Sequence, residues 1–200
     1  MREIKPDAKI LDATAGNRHI WKVKDDSRIV FMDIESELEV KPDIIGDCTK
    51  TDYPDGYFHT IFFDPPHWGG DVLGDNFFTL RNKQESIAFS ERYGTKRRGA
   101  SYYGTDKFQT ATQLLSFIHR AQKEFYRILN YAGCLWVKWV EKVVSLDKIL
   151  PLFRDWNLML KFMVNSNLQT LGDSQCYWLM FMKKPRTHIQ TELDQEMKKT

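Results

Sequence analysis

Four short apolar runs follow one another early in this 200-residue chain, and each ends in an aspartate. They are Lys9–Asp12, Arg28–Asp33, Asp43–Asp47 and His59–Asp64. Runs of this length, separated by turn-rich segments, read as buried strands of a parallel α/β sheet. The fourth has the sharpest end. Ile61, Phe62 and Phe63 lead into Asp64, and Pro65 and Pro66 then cannot donate to a ladder, so the chain must leave the sheet. A single strand-terminal aspartate reads as a helix cap. Four in order read better as a ligand site, because open α/β sheets bind ligands beyond the carboxyl ends of their strands, where strand order reverses.

The remaining segments continue the alternation. Residues 67–107 show no apolar period and combine Gly69, Gly70, Gly74, Gly94, Gly99 and Gly104 with Phe77, Phe78, Tyr93, Tyr102 and Tyr103. A segment of that length reads as a lid or a nucleic-acid-facing loop, with plain disorder as the competing reading. Phe108–Tyr131 predicts a helix, with its stripe at Ala111, Leu114, Leu115, Ile118, Phe125, Ile128 and Leu129 and with Gly133 as its stop. Cys134–Val140 predicts a fifth strand, interrupted by Lys138. Ser145 is placed to cap a helix running towards Trp156. Leu158–Val164 and Cys176–Met182 predict a final hairpin. The chain from Pro185 onward is polar, a surface helix or frayed end.

Composition narrows the class. A hydrophobic fraction of 42% and a charged fraction of 28% suit one globular domain, and an aromatic content of 14% with six Trp suits an aromatic core, a ring-binding site or both. The formal charge of +2 gives no global field for nucleic acid, although Lys96-Arg97-Arg98 and Lys183-Lys184-Pro185-Arg186 are local basic clusters. Cys48, Cys134 and Cys176 are odd in number and lack CxxC spacing, which argues against a zinc site or a disulfide framework. Reduced thiols, no apolar leader after Met1 and no membrane-length run together predict a cytoplasmic protein.

The order of these pieces resembles class I S-adenosylmethionine-dependent methyltransferases, in particular those that methylate exocyclic amino groups of DNA adenine N6 or cytosine N4. The similarity spans roughly residues 8 to 183. Ile10 to Gly16 is similar to the family's first motif, and Asp33 stands where an acid binds the cofactor's ribose hydroxyls. Gly46-Asp47-Cys48-Thr49 with Tyr53 to Phe58 resembles the segment that contacts the cofactor adenine. Asp64-Pro65-Pro66-His67 resembles the catalytic motif, usually Asp or Asn, two prolines and an aromatic ring. The implied fold is Rossmann-like, a mostly parallel seven-stranded sheet with a C-terminal antiparallel hairpin. The implied domain is 1–184, with 67–107 inserted as a lid or substrate loop and 185–200 as a polar tail.

The resemblance also implies roles. The cofactor, S-adenosyl-L-methionine, is expected at Asp12, Ala13, Gly16, Asn17, Asp33, Ile34, Asp47, Cys48 and Asp64, without a metal. Asp64, Pro65, Pro66, His67 and Trp68 are the expected catalytic segment. Asp64 and the Pro65 carbonyl would hold the target amine, and either His67 or Trp68 would stack the base. Lys138, Lys96, Arg97 and Arg98 are expected to face the substrate, as Lys138 either meets the site or snorkels to solvent. Nucleic acid is the expected partner, DNA ahead of RNA, and a homodimer is compatible.

Three departures stand out. Arg18 occupies the place of a usual second glycine, which makes Asn17 or Arg18 a candidate for the methionine carboxylate. His67 replaces the commoner Tyr, Phe or Trp, and few residues precede Lys9, where the family often has a helix. The missing part of the methionine pocket would come from the long loop or a second subunit. RNA base methylation, protein amide methylation and a non-catalytic nucleic-acid-binding subunit are the competing readings. A dinucleotide oxidoreductase fits less well, since the turn after the first strand lacks GxGxxG.

Overall fold

A computed structural model describes residues 7–66, 108, 110–141, 144–164 and 175–184. Its strands are β1 (Ile10–Asp12), β2 (Ile29–Asp33), β3 (Ile44–Ile45), β4 (Phe58–Phe63), β5 (Leu129–Val140), β6 (Trp156–Val164) and β7 (Cys176–Lys183). Helix α1 (Ala111–Ile128) precedes β5, and α2 (Leu146–Ile149) runs into a 3₁₀ turn at Leu150–Phe153 before β6. The strands form one seven-stranded sheet in the order β3-β2-β1-β4-β5-β7-β6. β1 pairs parallel with both β2 and β4, so the strand order reverses there. β4–β5 is also parallel, while β7 lies antiparallel between β5 and β6. The expected Rossmann-like sheet with its hairpin is the observed architecture.

Register divides the sheet into two faces. Leu11, Ile61, Leu135 and Phe181 align across β1, β4, β5 and β7, and all are buried. α1 packs on this face: Phe125 meets Phe63 with ring centroids 4.9 Å apart. The turn after α2 joins the same core, where Phe153 stacks on Phe181 at 4.6 Å. The opposite face carries Phe62, Trp136, Trp178 and Phe162, half-buried or exposed. Phe62 and Trp136 lie nearly parallel at 6.3 Å, and Trp136 and Phe162 likewise at 6.4 Å. Trp21, from the β1–β2 connection, packs edge-on against Phe62 at 4.9 Å.

The helix boundary differs from the pattern expectation. α1 starts at a Thr110 cap whose hydroxyl accepts from Gln113 N at 3.2 Å, but it stops at Ile128, and Leu129 is already extended at φ −78°, ψ 137°. β5 therefore begins five residues before Cys134, and Gly133 is not a helix stop. Its need for glycine is a close approach: a Cβ there would lie 2.6 Å from the His59 carbonyl oxygen and 2.9 Å from Leu129 Cδ1. The ladder jumps at this point, from Phe58 opposite Leu129 to Thr60 opposite Cys134, and the bulged backbone crowds β4. Ser145 sits at the N-terminus of α2 without a capping bond from its side chain. Glu141 Oε1 accepts from Leu146 N at 2.6 Å and does that work from further back in the chain.

The segment before β4 is clamped to α1. Arg127 donates to the Tyr53 carbonyl at 2.7 Å, the Thr51 carbonyl at 3.1 Å and Asp55 at 2.9 Å. Glu124 accepts from Arg127 at 2.6 Å and from Thr51 N at 2.8 Å. One guanidinium and one carboxylate thus satisfy backbone groups that no strand would pair. This holds Tyr53 to Tyr57 in place as the chain enters β4.

Candidate active site

The carboxyl ends of β1, β2 and β4 bring Asp12, Asp33 and Asp64 to the point where the strand order reverses. Asp12 is the most deeply placed, 1% exposed. Its Oδ2 accepts from the Trp21 indole N–H at 2.7 Å and its Oδ1 from Thr14 N at 3.4 Å. Burial pushes its pKa up to about 7; the Trp21 and Thr14 bonds oppose that rise, and the nearby Asp64 and Asp33 charges add to it. No local pattern marks Trp21 for this role, because it lies in a turn-rich stretch, 9 positions from its partner. Only the folded β1–β2 connection, swung over Phe31 and Phe62, shows its role.

The turn after β1 is shaped by two left-handed residues, Gly16 at φ +50° and Arg18 at φ +57°. Gly16 N donates to Asp33 Oδ2 at 2.8 Å, and Glu35 N donates to Asp33 Oδ1 at 2.9 Å, so Asp33 braces the turn from the end of β2. Among the described residues, a Cβ on Gly16 would meet nothing within 4 Å, which leaves space beside this backbone. Arg18 keeps the backbone shape a glycine would take, at a cost of about 1–2 kcal/mol for an L-residue. Its buried side chain offsets that cost. The guanidinium donates to the Lys24 carbonyl and, at 2.7 Å, to the Lys41 carbonyl, and it stacks 3.8 Å over the Phe31 ring. Asn17 Oδ1 accepts from Val40 N at 3.2 Å. Both polar side chains tie the turn to the loops beside β2 and β3.

Asp64 stands just past β4. Its backbone N–H donates to Thr14 Oγ1 at 2.8 Å, which joins the β4 end to the turn after β1. The ladder places Phe63 opposite Val137, and the next residues on each strand, Asp64 and Lys138, come side by side. Lys138 Nζ donates to Asp64 Oδ2 at 2.7 Å, with side chains 25% and 17% exposed. The lysine that interrupts the apolar pattern of β5 is therefore held by the acid that ends β4. Pro65 is buried and Pro66 half-buried. His67, Trp68, Lys96, Arg97, Arg98, the 67–107 loop and the 185–200 tail lie outside the described residues.

Ala13 is buried in the turn, Ile34 is exposed past β2, and Asp47 is exposed past β3. Asp47 Oδ1 accepts from Thr49 N at 2.8 Å, and Cys48 is buried, with its thiol pKa pushed up by desolvation. The three cysteines are free thiols. Among the described residues no group of three His, Cys, Asp or Glu gathers to hold a metal ion, and no helix is long and apolar enough to cross a membrane. The arrangement can accept hydrogen bonds from hydroxyls and amines at two strand ends, Asp33 and Asp64, with Asp12 buried beneath them.

No protein-family model matches the chain, and no curated protein matches it by sequence. Solved structures do. The PH0226 protein from Pyrococcus horikoshii is similar with a TM-score of 0.50 and 12% identity, over 92% of this chain and 85% of that one. The [4+2]-cyclase SpnF is similar with a TM-score of 0.50 and 11% identity, over 88% of this chain and 75% of that one. A TehB-like SAM-dependent methyltransferase from Corynebacterium glutamicum aligns at a TM-score of 0.48 and 15% identity, over 89% and 81% of the two chains. These likenesses are of fold alone: a mostly parallel seven-stranded sheet in which β7 runs antiparallel to its neighbours. One of these neighbours is named a cyclase, so the chemistry has to be argued from the site.

Proposed function

We propose that this chain is an S-adenosylmethionine-dependent methyltransferase that transfers a methyl group to an exocyclic amino nitrogen of a nucleobase, with DNA adenine N6 or cytosine N4 as the target. The observation that carries the reading is Asp64: a carboxylate at the end of β4, followed by two prolines, tied to the β1 turn through Thr14 and to β5 through Lys138. The strand ends around it suit the cofactor. Open space beside Gly16 admits a ligand close to the backbone, Asp33 offers carboxylate oxygens for ribose hydroxyls, and Asp47 and Cys48 flank the expected adenine site. When bound, that cofactor supplies an electrophilic methyl on a sulfonium.

The chain's own part is orientation and charge. An exocyclic amine is a poor nucleophile because its lone pair is delocalised into the ring. Hydrogen bonds from that amine to Asp64 and to the Pro65 carbonyl would draw the lone pair out of conjugation and align it with the methyl, and such alignment is worth up to about 7–11 kcal/mol in favourable systems. The Asp64 carboxylate also stabilises the positive charge that grows on the nitrogen. A base in a duplex cannot reach a strand-end pocket, so duplex substrate must be flipped. The sheet face leading away from Asp64 carries Phe62, Trp136 and Trp178, and aromatic faces of this kind stack bases at about 1–3 kcal/mol each.

The test is incubation with methyl-labelled cofactor and mixed DNA and RNA, followed by mass spectrometry of nucleosides. N6-methyladenine or N4-methylcytosine in the DNA is the expected product. Label confined to RNA would change the polymer, and label confined to protein would end the nucleobase reading.

A further inference from the structure

Lys138 presents a primary amine to the same carboxylate that the proposed reaction uses to hold its target. An amine hydrogen-bonded to a carboxylate has its nitrogen about 2.7–3.2 Å from an oxygen. Lys138 Nζ lies 2.7 Å from Asp64 Oδ2. The ladder imposes this neighbourhood, because Phe62 faces Trp136 and Phe63 faces Val137, which leaves Asp64 beside Lys138. Val137 and Trp139 are fully buried, which fixes the face of β5 from which Lys138 emerges. Both members of the pair are partly accessible, at 25% and 17% of their side chains, so a ligand can reach them.

We propose that Lys138 is a methylation site of the protein itself: with cofactor bound and no nucleic acid present, the chain transfers a methyl to Lys138 Nζ. The inference rests on Asp64 being the group that holds target amines. For the transfer, the ammonium first loses one proton to solvent and keeps an N–H bond to Asp64 Oδ2. The freed lone pair then forms the N–C bond while the C–S bond breaks, with its electron pair leaving on sulfur as a neutral thioether. The product is a methylammonium that keeps its positive charge, and it can still donate to Asp64. Substrate and Lys138 compete for one carboxylate, so a target base protects the lysine. The modification adds bulk where the amine must enter, which makes it a brake on a chain that holds cofactor without substrate.

The experiment needs no knowledge of the substrate. The purified chain is incubated with cofactor carrying an isotopic methyl, and peptides covering Lys138 are read by mass spectrometry. One methyl on Lys138 is expected, and Asp64→Asn should lower its extent about a hundredfold, the scale on which losing one charge-stabilising group slows a reaction. Lys138→Arg should remove the label. Without cofactor, Lys138 should acetylate more slowly than exposed lysines and speed up in Asp64→Asn, which reads the pairing independently of any transfer. Equal acetylation rates in the two proteins would overturn the inference. Cofactor binding by calorimetry with Lys138 unmodified would overturn it too, and would leave the proposed function standing. No cofactor binding at all would overturn both.

Discussion

Replacing Asp12 by Asn should stabilise the chain at neutral and alkaline pH and remove a pH dependence that the parent carries. In the folded chain the Asp12 carboxyl pKa is raised from 3.8 to about 7, mainly by burial. At about 1.4 kcal/mol per pKa unit, ionising it inside the fold costs about 4 kcal/mol. The sign follows from proton binding. Between 3.8 and about 7 the folded chain holds a proton on Asp12 that the unfolded chain has lost. Stability therefore falls as pH rises through that window and levels off above it. Asparagine never ionises and pays none of this. Its amide oxygen can keep the Trp21 bond, but the Thr14 bond, already long at 3.4 Å, is lost against the amide N–H₂, at about 1 kcal/mol. The variant should thus be about 1 kcal/mol less stable near pH 4 and about 3 kcal/mol more stable near pH 8, with the curves crossing between. Urea unfolding of both proteins across that range reads the difference directly. Parallel curves at every pH would refute the assignment of a buried, reluctantly ionised Asp12.

Asp64→Ala should abolish methyl transfer and leave cofactor binding within a few-fold; retained transfer would remove Asp64 from the mechanism. Asp33→Ala should weaken cofactor affinity first, because it deletes the acceptor of Gly16 N as well as the expected ribose contact, and calorimetry measures it. Burial raises the Glu124 pKa, but bonds from Arg127 and Thr51 outweigh it and hold the carboxyl below its ordinary 4.5. Its stabilising contribution is therefore present above that value and lost as pH falls below it, and Glu124→Gln should flatten the acid limb of the stability profile. Neutralising Lys96, Arg97 and Arg98 together should weaken nucleic-acid binding and reduce its salt slope, since each released phosphate contact contributes to that slope.

The fold was largely legible because its signals are local. Short apolar runs, the prolines after Asp64 and the stripe of α1 are each read from contiguous residues, and they located the strands and the main helix among the described residues. Boundaries were less legible where a neighbour sets them. Gly133 reads as a helix stop by pattern, yet its glycine answers to the His59 carbonyl oxygen, brought there by the β4–β5 bulge. Arg18 reads as a departure from a glycine pattern, yet the backbone keeps the glycine's left-handed shape because the buried guanidinium anchors it.

The candidate site divides the same way. By itself, the sequence determined that acids end successive strands and that Asp64 is followed by a chain that must leave the sheet, since hydrophobic periodicity and proline geometry act over neighbouring residues. Only the tertiary structure decided what each acid meets. Asp64 and Lys138 are 74 positions apart and come together through the β4–β5 register. Asp12 becomes a buried carboxyl under Trp21 because the β1–β2 connection folds back over the sheet. Burial and charge pairing depend on residues distant in the chain, and those distances close only when the sheet forms.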